Sequence, residues 1–392
     1  MTLRQNAFTA TTAAALIFAL APHAAAAVDG DAVFDALAAQ MEKQGLELAA
    51  ESVESRGDDV SLTNLTITVP GGDDGFQMEK VLLEDVADAG NGSYVIGRIA
   101  MPSFSQTREG WTVAFEGAEI EGYYLAGPNA VDPIASVGIY REMNIGALQV
   151  GANGDLVFKL DGISSSMSPY EPGATLEMEG EVKDFFIDFS QIPEPGVQRT
   201  MDEIGYPQLS GRMTASGTWN TESGELSAQE KFILDDAAEL NVDFAIGGYT
   251  AELIAAMQEM QKNMEGQSEE AMGFAMLGLM QQLEIGHITI ELVDDSGTNK
   301  LLDFAAKKQG TNREGVVAMA KGTLPFALAQ LQNPEFSAKV SAAVGTFLDD
   351  PGSLKIVAAP ATPVPVAQIM GSAMSAPQSL ISVLSVNVTA NE

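Results

Sequence analysis

The feature that most constrains the fold is an alternation of apolar and polar residues along much of the chain. It is clearest at residues 176–183, where Leu176, Met178 and Val182 alternate with glutamates and a lysine. Successive side chains of a strand point to opposite faces of its sheet. An antiparallel sheet with one face in water gives this pattern, whereas buried parallel strands are apolar throughout. Similar segments separated by turns continue to Ile246, and they indicate roughly ten strands.

Helical periodicity flanks this strand-rich region on both sides. An apolar stripe from Val33 to Met41 predicts a helix that Asp29 or Asp31 caps and that ends at Gly45. In the last third, alternating segments indicate three more strands, at 288–292, 354–357 and 383–388. Helical periodicity occurs there at 250–282, 301–308, 313–348 and 366–374, with breaks expected near Gly266, Pro325 and Pro334.

These patterns together predict a β-dominated α+β fold. We expect an extended antiparallel sheet, groove-like or sandwich-like, with helices at the N-terminus and in the C-terminal third. The predicted divisions are a signal peptide at 1–27, an N-terminal helix with the sheet at 28–248, and a mixed region at 249–392 that continues the same sheet.

The first 27 residues have the composition of a secretory signal peptide. Arg4 is the only charged residue before Asp29, an apolar run covers residues 13–21, and four alanines precede Val28. This order of a charged, an apolar and a small-residue segment predicts cleavage before Val28. The apolar run is too short for a stable membrane span, so no span is expected after cleavage. The chain has no cysteine, so we expect neither disulfides nor lipoprotein acylation.

The charge excludes one class of partner. The formal net charge is −34, and the acidic residues are scattered singly and in pairs along the chain. Such a surface repels nucleic acid and anionic lipid headgroups, and it keeps a protein soluble. We expect no nucleic-acid partner.

The chain resembles the AsmA-like and YdgA-like envelope proteins of Gram-negative bacteria. The resemblance rests on the turns at 209–211 and 222–226, and on residues 288–310, a strand ending in Asp294-Asp295 followed by a helix and then Gln309-Gly310. It implies a periplasmic β-sheet protein concerned with outer-membrane or lipid homeostasis, without catalysis. It brings no site residues with it.

The residues that could carry catalysis are few. His287 is the only histidine after the predicted signal peptide, and we expect it on the polar face of a strand. Paired carboxylates can cleave glycosidic bonds or bind calcium, but aspartate pairs also favour turns for their own hydrogen bonding. No motif selects one pair, and we predict no catalytic residue, no metal site and no cofactor. The pairs are Asp58-Asp59, Asp73-Asp74, Asp235-Asp236, Asp294-Asp295 and Asp349-Asp350.

Six methionines form the most distinctive cluster. They recur every three or four residues, which places each group of three on one helix face. Three interpretations stay open: packing against the sheet, an adaptable groove for a lipid or a protein, and a thioether site for Cu(I). The candidate groove residues are Met257, Met260, Met264, Met272, Met276 and Met280.

The sequence therefore predicts a non-enzymatic periplasmic protein that maintains the envelope or binds a lipid or another hydrophobic ligand. Its expected partner is a lipid or an envelope protein, and no sequence pattern favours one oligomeric state. Two alternatives stay open: a carboxylate-based hydrolase of cell-wall glycans, and a protein that binds calcium or copper.

Overall fold

Eighteen strand segments form one antiparallel sheet in the computed structural model of the chain. The structure describes residues 28–43, 45–69, 75–127, 130, 134, 138–171, 173–262 and 269–392, and the predicted signal peptide lies outside them. The N-terminal strands are β1 (Glu47–Ala49), β2 (Ser52–Arg56), β3 (Asp59–Thr68), β4 (Gly75–Gly90), β5 (Ser93–Met101), β6 (Phe104–Arg108), β7 (Trp111–Phe115), β8 (Ala118–Leu125) and β9 (Glu142–Ala152). The others are β10 (Asp155–Met167), β11 (Thr175–Asp188), β12 (Gln208–Asn220), β13 (Leu226–Leu234), β14 (Ala238–Gly247), β15 (Glu284–Asp294), β16 (Ser353–Ala358), β17 (Val364–Pro365) and β18 (Val386–Ala390).

Nine helices accompany the sheet within the described residues. The first three in chain order are α1 (Gly30–Lys43), α2 (Pro195–Ile204) and α3 (Ala251–Lys262). The remaining ones are α4 (Glu269–Met280), α5 (Gly297–Gln309), α6 (Arg313–Leu328), α7 (Pro334–Asp349), α8 (Val366–Ser375) and α9 (Leu380–Val383). None of these helices has the length and apolar character needed to cross a membrane.

The strands pair in chain order, so the sheet is a long meander. From β9 to β16 each strand pairs with the next, although helices intervene after β14 and β15. The short β17 pairs with β15, in line with β16, and β18 pairs with β16. Segments β1 and β2 both pair with β3, and β7 and β8 both pair with β9. No pairing among the described residues joins β18 to β1 or β2, so the sheet is open. This confirms the predicted β-dominated fold with one extended antiparallel sheet.

Strand interruptions explain why the sequence pattern gave roughly ten strands rather than the fourteen segments that end at Gly247. Pro102 and Ser103 separate β5 from β6, and Glu116 and Gly117 separate β7 from β8. Each pair of segments continues along the same neighbouring strands, so the alternation of the sequence shows one strand where the hydrogen bonding has two.

The most tightly packed core lies at the N-terminal edge of the sheet, under α1. Val33 of α1 and Leu62, Leu83 and Ile96 of β3, β4 and β5 have no exposed surface. Gln40 fixes the helix over the sheet, because its Nε2 donates to Tyr123 Oη at 2.9 Å and its Oε1 accepts from the Ala126 amide at 3.3 Å. The predicted N-terminal helix is present, and the Ala32 amide donates to Asp29 Oδ1 at its first turn.

The other helices lie near the two ends of the strands. At one end, Trp219 Nε1 of β12 donates to the Tyr249 carbonyl, just before α3. At the opposite end, Tyr206 Oη donates to the Asp236 carbonyl in the β13–β14 turn, and Lys300 Nζ of α5 lies 3.7 Å from the centre of the Tyr206 ring. The ends of the middle strands are therefore held by side chains from these connections.

Candidate functional site

One face of the sheet carries apolar residues from strand to strand. In the best aligned row, Val242 of β14 pairs with Ile290 of β15, which pairs with Ile356 of β16 and, through it, with Val388 of β18. We call the face that this row shares the apolar face, and the opposite face the polar face. The register places the apolar residues of neighbouring strands beside one another, so they form one continuous face of the sheet.

The apolar face is continuous with the core under α1. The row that contains Val242 also joins Leu83, Ile99 and Ile120 of β4, β5 and β8 to Met143 of β9, and it runs from there to Val242 through β10–β13. The first three belong to or pack against the buried core, because α1 covers that part of the sheet. Beyond β9 the same face continues across eight strand positions to β18, because β17 lies in line with β16. At about 4.8 Å per strand this is a distance of about 40 Å.

Large apolar side chains are exposed on this part of the apolar face. Leu240, Ile290 and Ile356 expose 36%, 40% and 41% of their surfaces, whereas Leu83 and Ile99 under α1 are buried. Exposed apolar residues that adjoin one another in this way mark surfaces for ligands or partners in a folded protein. The apolar face between β13 and β18 is therefore the candidate functional site.

Helix α3 closes one end of this surface. Ile254 of α3 is buried against Leu176 of β11 and Trp219 of β12, together with Ile139 from the segment before β9. Leu176 and Trp219 are paired across β11 and β12 and lie on the apolar face. The apolar face thus has a covered side at α1, a covered end at α3, and exposed residues between them and β18.

The structure brings some of the predicted methionines close to this covered end. Met257 and Met260 of α3 are half-buried, as is Met276 of α4, and Met280 is 41% exposed. Met264 and the side chain of Met272 lie outside the described residues. Helices α3 and α4 contact each other, so the two groups of methionines occupy one region. Their roles in packing, ligand binding or copper binding stay predictions.

The polar face holds the histidine. His287 Nε2 lies 2.8 Å from Asp243 Oδ1, on neighbouring strands, and the histidine side chain is 39% exposed. Shallow depressions on this face are lined by short or polar side chains such as Thr214, Ser216 and Gln229. The His287 imidazole therefore has a carboxylate partner on an open surface.

The aspartate pairs within the described residues lie at turns and helix termini, with Asp349-Asp350 at the end of α7. Asp59 Oδ1 accepts from the Asp85 amide at 3.2 Å, and Asp235 Oδ2 accepts from Ser210 Oγ at 2.8 Å. Asp294 accepts from the amides of Ser296 and Thr298 at the start of α5. These carboxylates serve the local hydrogen bonding for which aspartate is common in turns. Asp73 and Asp74 lie outside the described residues, within which no group of three or more metal-ligating side chains occurs.

Comparison with protein-family models gives a match to part of the chain. A protein-family model described as an uncharacterized protein matches residues 231–391. A search of curated proteins finds no match. The matched segment contains Leu240, Ile290 and Ile356, the exposed residues of the candidate site.

Sequence reasoning did not single out the exposed residues of β14, β15 and β16 within the candidate site. The alternation in 240–246, 288–292 and 354–357 contains them, but it shows only that one side of each strand is apolar. Whether a helix covers that side depends on tertiary packing, which the period of a single strand does not encode. A signal was available in the sequence: several consecutive strands have an apolar side, but fewer amphipathic helices are present to cover them.

Proposed function

We propose that the protein is a non-enzymatic binding protein of the periplasm that holds a lipid or similar hydrophobic ligand on its apolar face. The observation that supports this proposal is the contiguous row of Val242, Ile290 and Ile356, two of which are exposed on a sheet with a charged opposite face. The predicted signal peptide and the resemblance to envelope proteins favour the periplasm and a lipid. The methionines of α3 and α4 would line the end of the apolar face that α3 covers.

The size of the apolar face suits an acyl chain. One leaflet of a bilayer core is about 15 Å thick, so an extended acyl chain is shorter than the apolar face from β9 to β18. Each methylene that leaves water contributes up to about 0.8 kcal/mol. A ligand that lies along several rows can therefore bind without a deep cavity, and its affinity should increase with chain length.

Native mass spectrometry of the full chain purified from the periplasm tests this proposal. We expect mass adducts that match phospholipids or fatty acids, and we expect delipidated protein to take up phospholipid from vesicles. Protein that carries no adduct and takes up no phospholipid would contradict the proposal.

A matched pair of variants locates the binding surface. Ile290 and Thr289 are neighbours in β15 whose side chains lie on opposite faces. We expect Ile290→Glu to weaken phospholipid uptake about tenfold or more, because a charge on the apolar face must lose hydration when a chain covers it. Thr289→Glu adds the same charge on the polar face and should leave uptake unchanged. Equal effects of the two variants would place the ligand elsewhere.

A further inference from the structure

A charged residue, Glu230 of β13, lies in the middle of the apolar face. Along β13 the residues on the apolar face are Leu226, Ala228, Glu230, Phe232 and Leu234, so a glutamate stands where the alternation predicts an apolar residue. Its cross-strand neighbours are Ala215 of β12 and Val242 of β14. The glutamate is half-buried.

The Glu230 carboxylate has no hydrogen-bond or ion-pair partner within the described part of the chain. The adjacent Lys231 points to the polar face, where its Nζ lies 2.7 Å from Glu239 Oε1. A half-buried carboxylate without a partner among apolar neighbours is unfavourable for folding, because it loses hydration and gains no compensating charge.

A protective role against aggregation does not account for this position. Inward-pointing charges are used in edge strands, where they prevent pairing with other chains. Strand β13 pairs with β12 along one side and with β14 along the other, over nine residues each. Strand β13 is therefore not an edge strand, and the Glu230 side chain is not needed to prevent pairing with another chain.

The surroundings of Glu230 leave its carboxylate accessible from the apolar face. Ala215 lies directly opposite it, Ala228 precedes it on the same face of β13, and Gly217 pairs with Ala228. These side chains are too short to cover it, whereas Phe232 and Val242 provide apolar surface beside it. An alkyl chain and a cationic group can therefore contact adjacent points of the same surface.

We propose that Glu230 selects amphiphiles that carry an ammonium group, by pairing with it on the apolar face while their alkyl chain covers neighbouring rows. This inference rests on the proposed function, since it assigns a headgroup chemistry to the same surface. Charge complementarity supports it: the lone carboxylate lacks a cation, and an ammonium group would supply one with charge-assisted hydrogen bonds.

Binding of chain-matched probes to the full chain tests the assignment. Dodecylammonium, laurate and dodecyl maltoside share one alkyl length and differ in headgroup charge, and titration calorimetry in buffered salt gives their dissociation constants. We expect dodecylammonium to bind about tenfold more tightly than dodecyl maltoside, a difference of about 1.4 kcal/mol, and laurate to bind most weakly. Glu230→Gln should abolish the preference for the ammonium probe and leave dodecyl maltoside binding unchanged.

A control variant separates this effect from the general attraction of an acidic protein for cations. Glu181 of β11 lies on the polar face, opposite Thr214, and Glu181→Gln removes the same single charge. It should retain the full preference. Circular dichroism should show that both variants are folded, since each exchange is nearly isosteric.

The outcomes distinguish this inference from the proposed function. If no probe of any charge binds, the proposed function fails. If the probes bind but the wild type shows no preference for ammonium, or Glu230→Gln retains the preference, the role of Glu230 is wrong and lipid binding stands. If Glu181→Gln loses the preference to the same extent, net charge rather than Glu230 selects the ligand.

Discussion

Asp188 shows how this sheet holds a carboxylate that has a structural role. It is 7% exposed at the end of β11, and it accepts hydrogen bonds from the Ser190 amide at 2.9 Å, from Ser190 Oγ at 2.6 Å and from Gln208 Nε2 at 2.9 Å. Burial alone raises the pKa of Asp188, but the hydrogen bonds outweigh it, so the pKa lies below its ordinary value. Glu230 has none of these partners, which is why we assign it to a ligand.

We expect Asp188→Ala to lower the free energy of unfolding by about 2 kcal/mol at pH 7, since hydrogen bonds to a charged group are lost. A carboxyl whose pKa is lowered by folding stabilises the protein above its unfolded pKa of about 3.9 and loses that contribution as the pH falls through the folded value. The difference between wild type and variant should therefore narrow below about pH 4. Urea unfolding at pH 7 and pH 3 measures it.

The exposed Glu181→Ala provides the control for Asp188. It removes a carboxylate from the same strand and should change the free energy of unfolding by less than about 0.5 kcal/mol at either pH. A loss in Asp188→Ala that is equal at both pH values would show that the ionised carboxylate is not the stabilising group.

At the scale of elements, the sequence predicts long periodic segments well and short or connecting ones poorly. The strands predicted at 176–183 and 288–292 occur within β11 and β15, because their alternation reflects one apolar side. Helix α2 was missed because ten residues contain few apolar positions. Its available signals are Pro195 at its first position and Gly205 after its end, which has a φ of 93°.

Two predicted boundaries in the last third differ from the structure. Pro325 does not break its helix, because α6 continues to Leu328 and the helical stretch ends only before Asn333. A proline near the C-terminal end of a helix removes one hydrogen bond from the last turns and leaves those before it intact. The final strand, β18, begins at Val386 rather than Val383, since residues 380–383 form α9. Val383 is apolar and is compatible with either the helix or the strand, so the sequence pattern did not separate α9 from β18.

Strand β10 bends at Gly162, and the alternation of the sequence alone does not show this bend. Leu160 and Ile163 of β10 are three residues apart, yet both pair with apolar-face residues of β11, Phe185 and Val182. Gly162 has a φ of 58°, and this left-handed conformation changes the phase of the side chains within one strand. This change of phase lets the apolar face continue on both sides of the bend.

We expect Gly162→Ala to lower the free energy of unfolding by about 1–2 kcal/mol, the cost of a left-handed conformation for a residue with a Cβ. Gly180 of β11 is the matched control, because its φ is ordinary and an added Cβ would have its nearest contact at 3.8 Å. Gly180→Ala should be neutral or stabilise by about 0.5 kcal/mol. Denaturant unfolding of both variants compares them, and an equal loss in each would show that the conformation of Gly162 is not required.

At the scale of the whole molecule, packing density decreases along the sheet from α1 toward β16. Leu62, Leu83 and Ile96 are fully buried under α1, whereas Ile290 and Ile356 are about two-fifths exposed in the same apolar layer. Local stability follows the amount of apolar contact around each element. The sheet therefore combines a stable N-terminal edge with a middle whose apolar face is completed by a ligand under our proposal.

Amide hydrogen exchange of the full chain tests this gradient. Without ligand, we expect the amides of β3, β4 and β5 to exchange most slowly and those of β14, β15 and β16 to exchange faster, because one side of the latter lacks a packed layer. Dodecyl maltoside, a neutral probe, should slow exchange in β14–β16 and leave β3–β5 unchanged, since binding stabilises the segments that form the site. Equal protection of both regions before ligand is added would contradict the gradient. Slowing that is confined to segments away from β14–β16 would place the hydrophobic site on another surface, even though the order of stabilities without ligand could still hold.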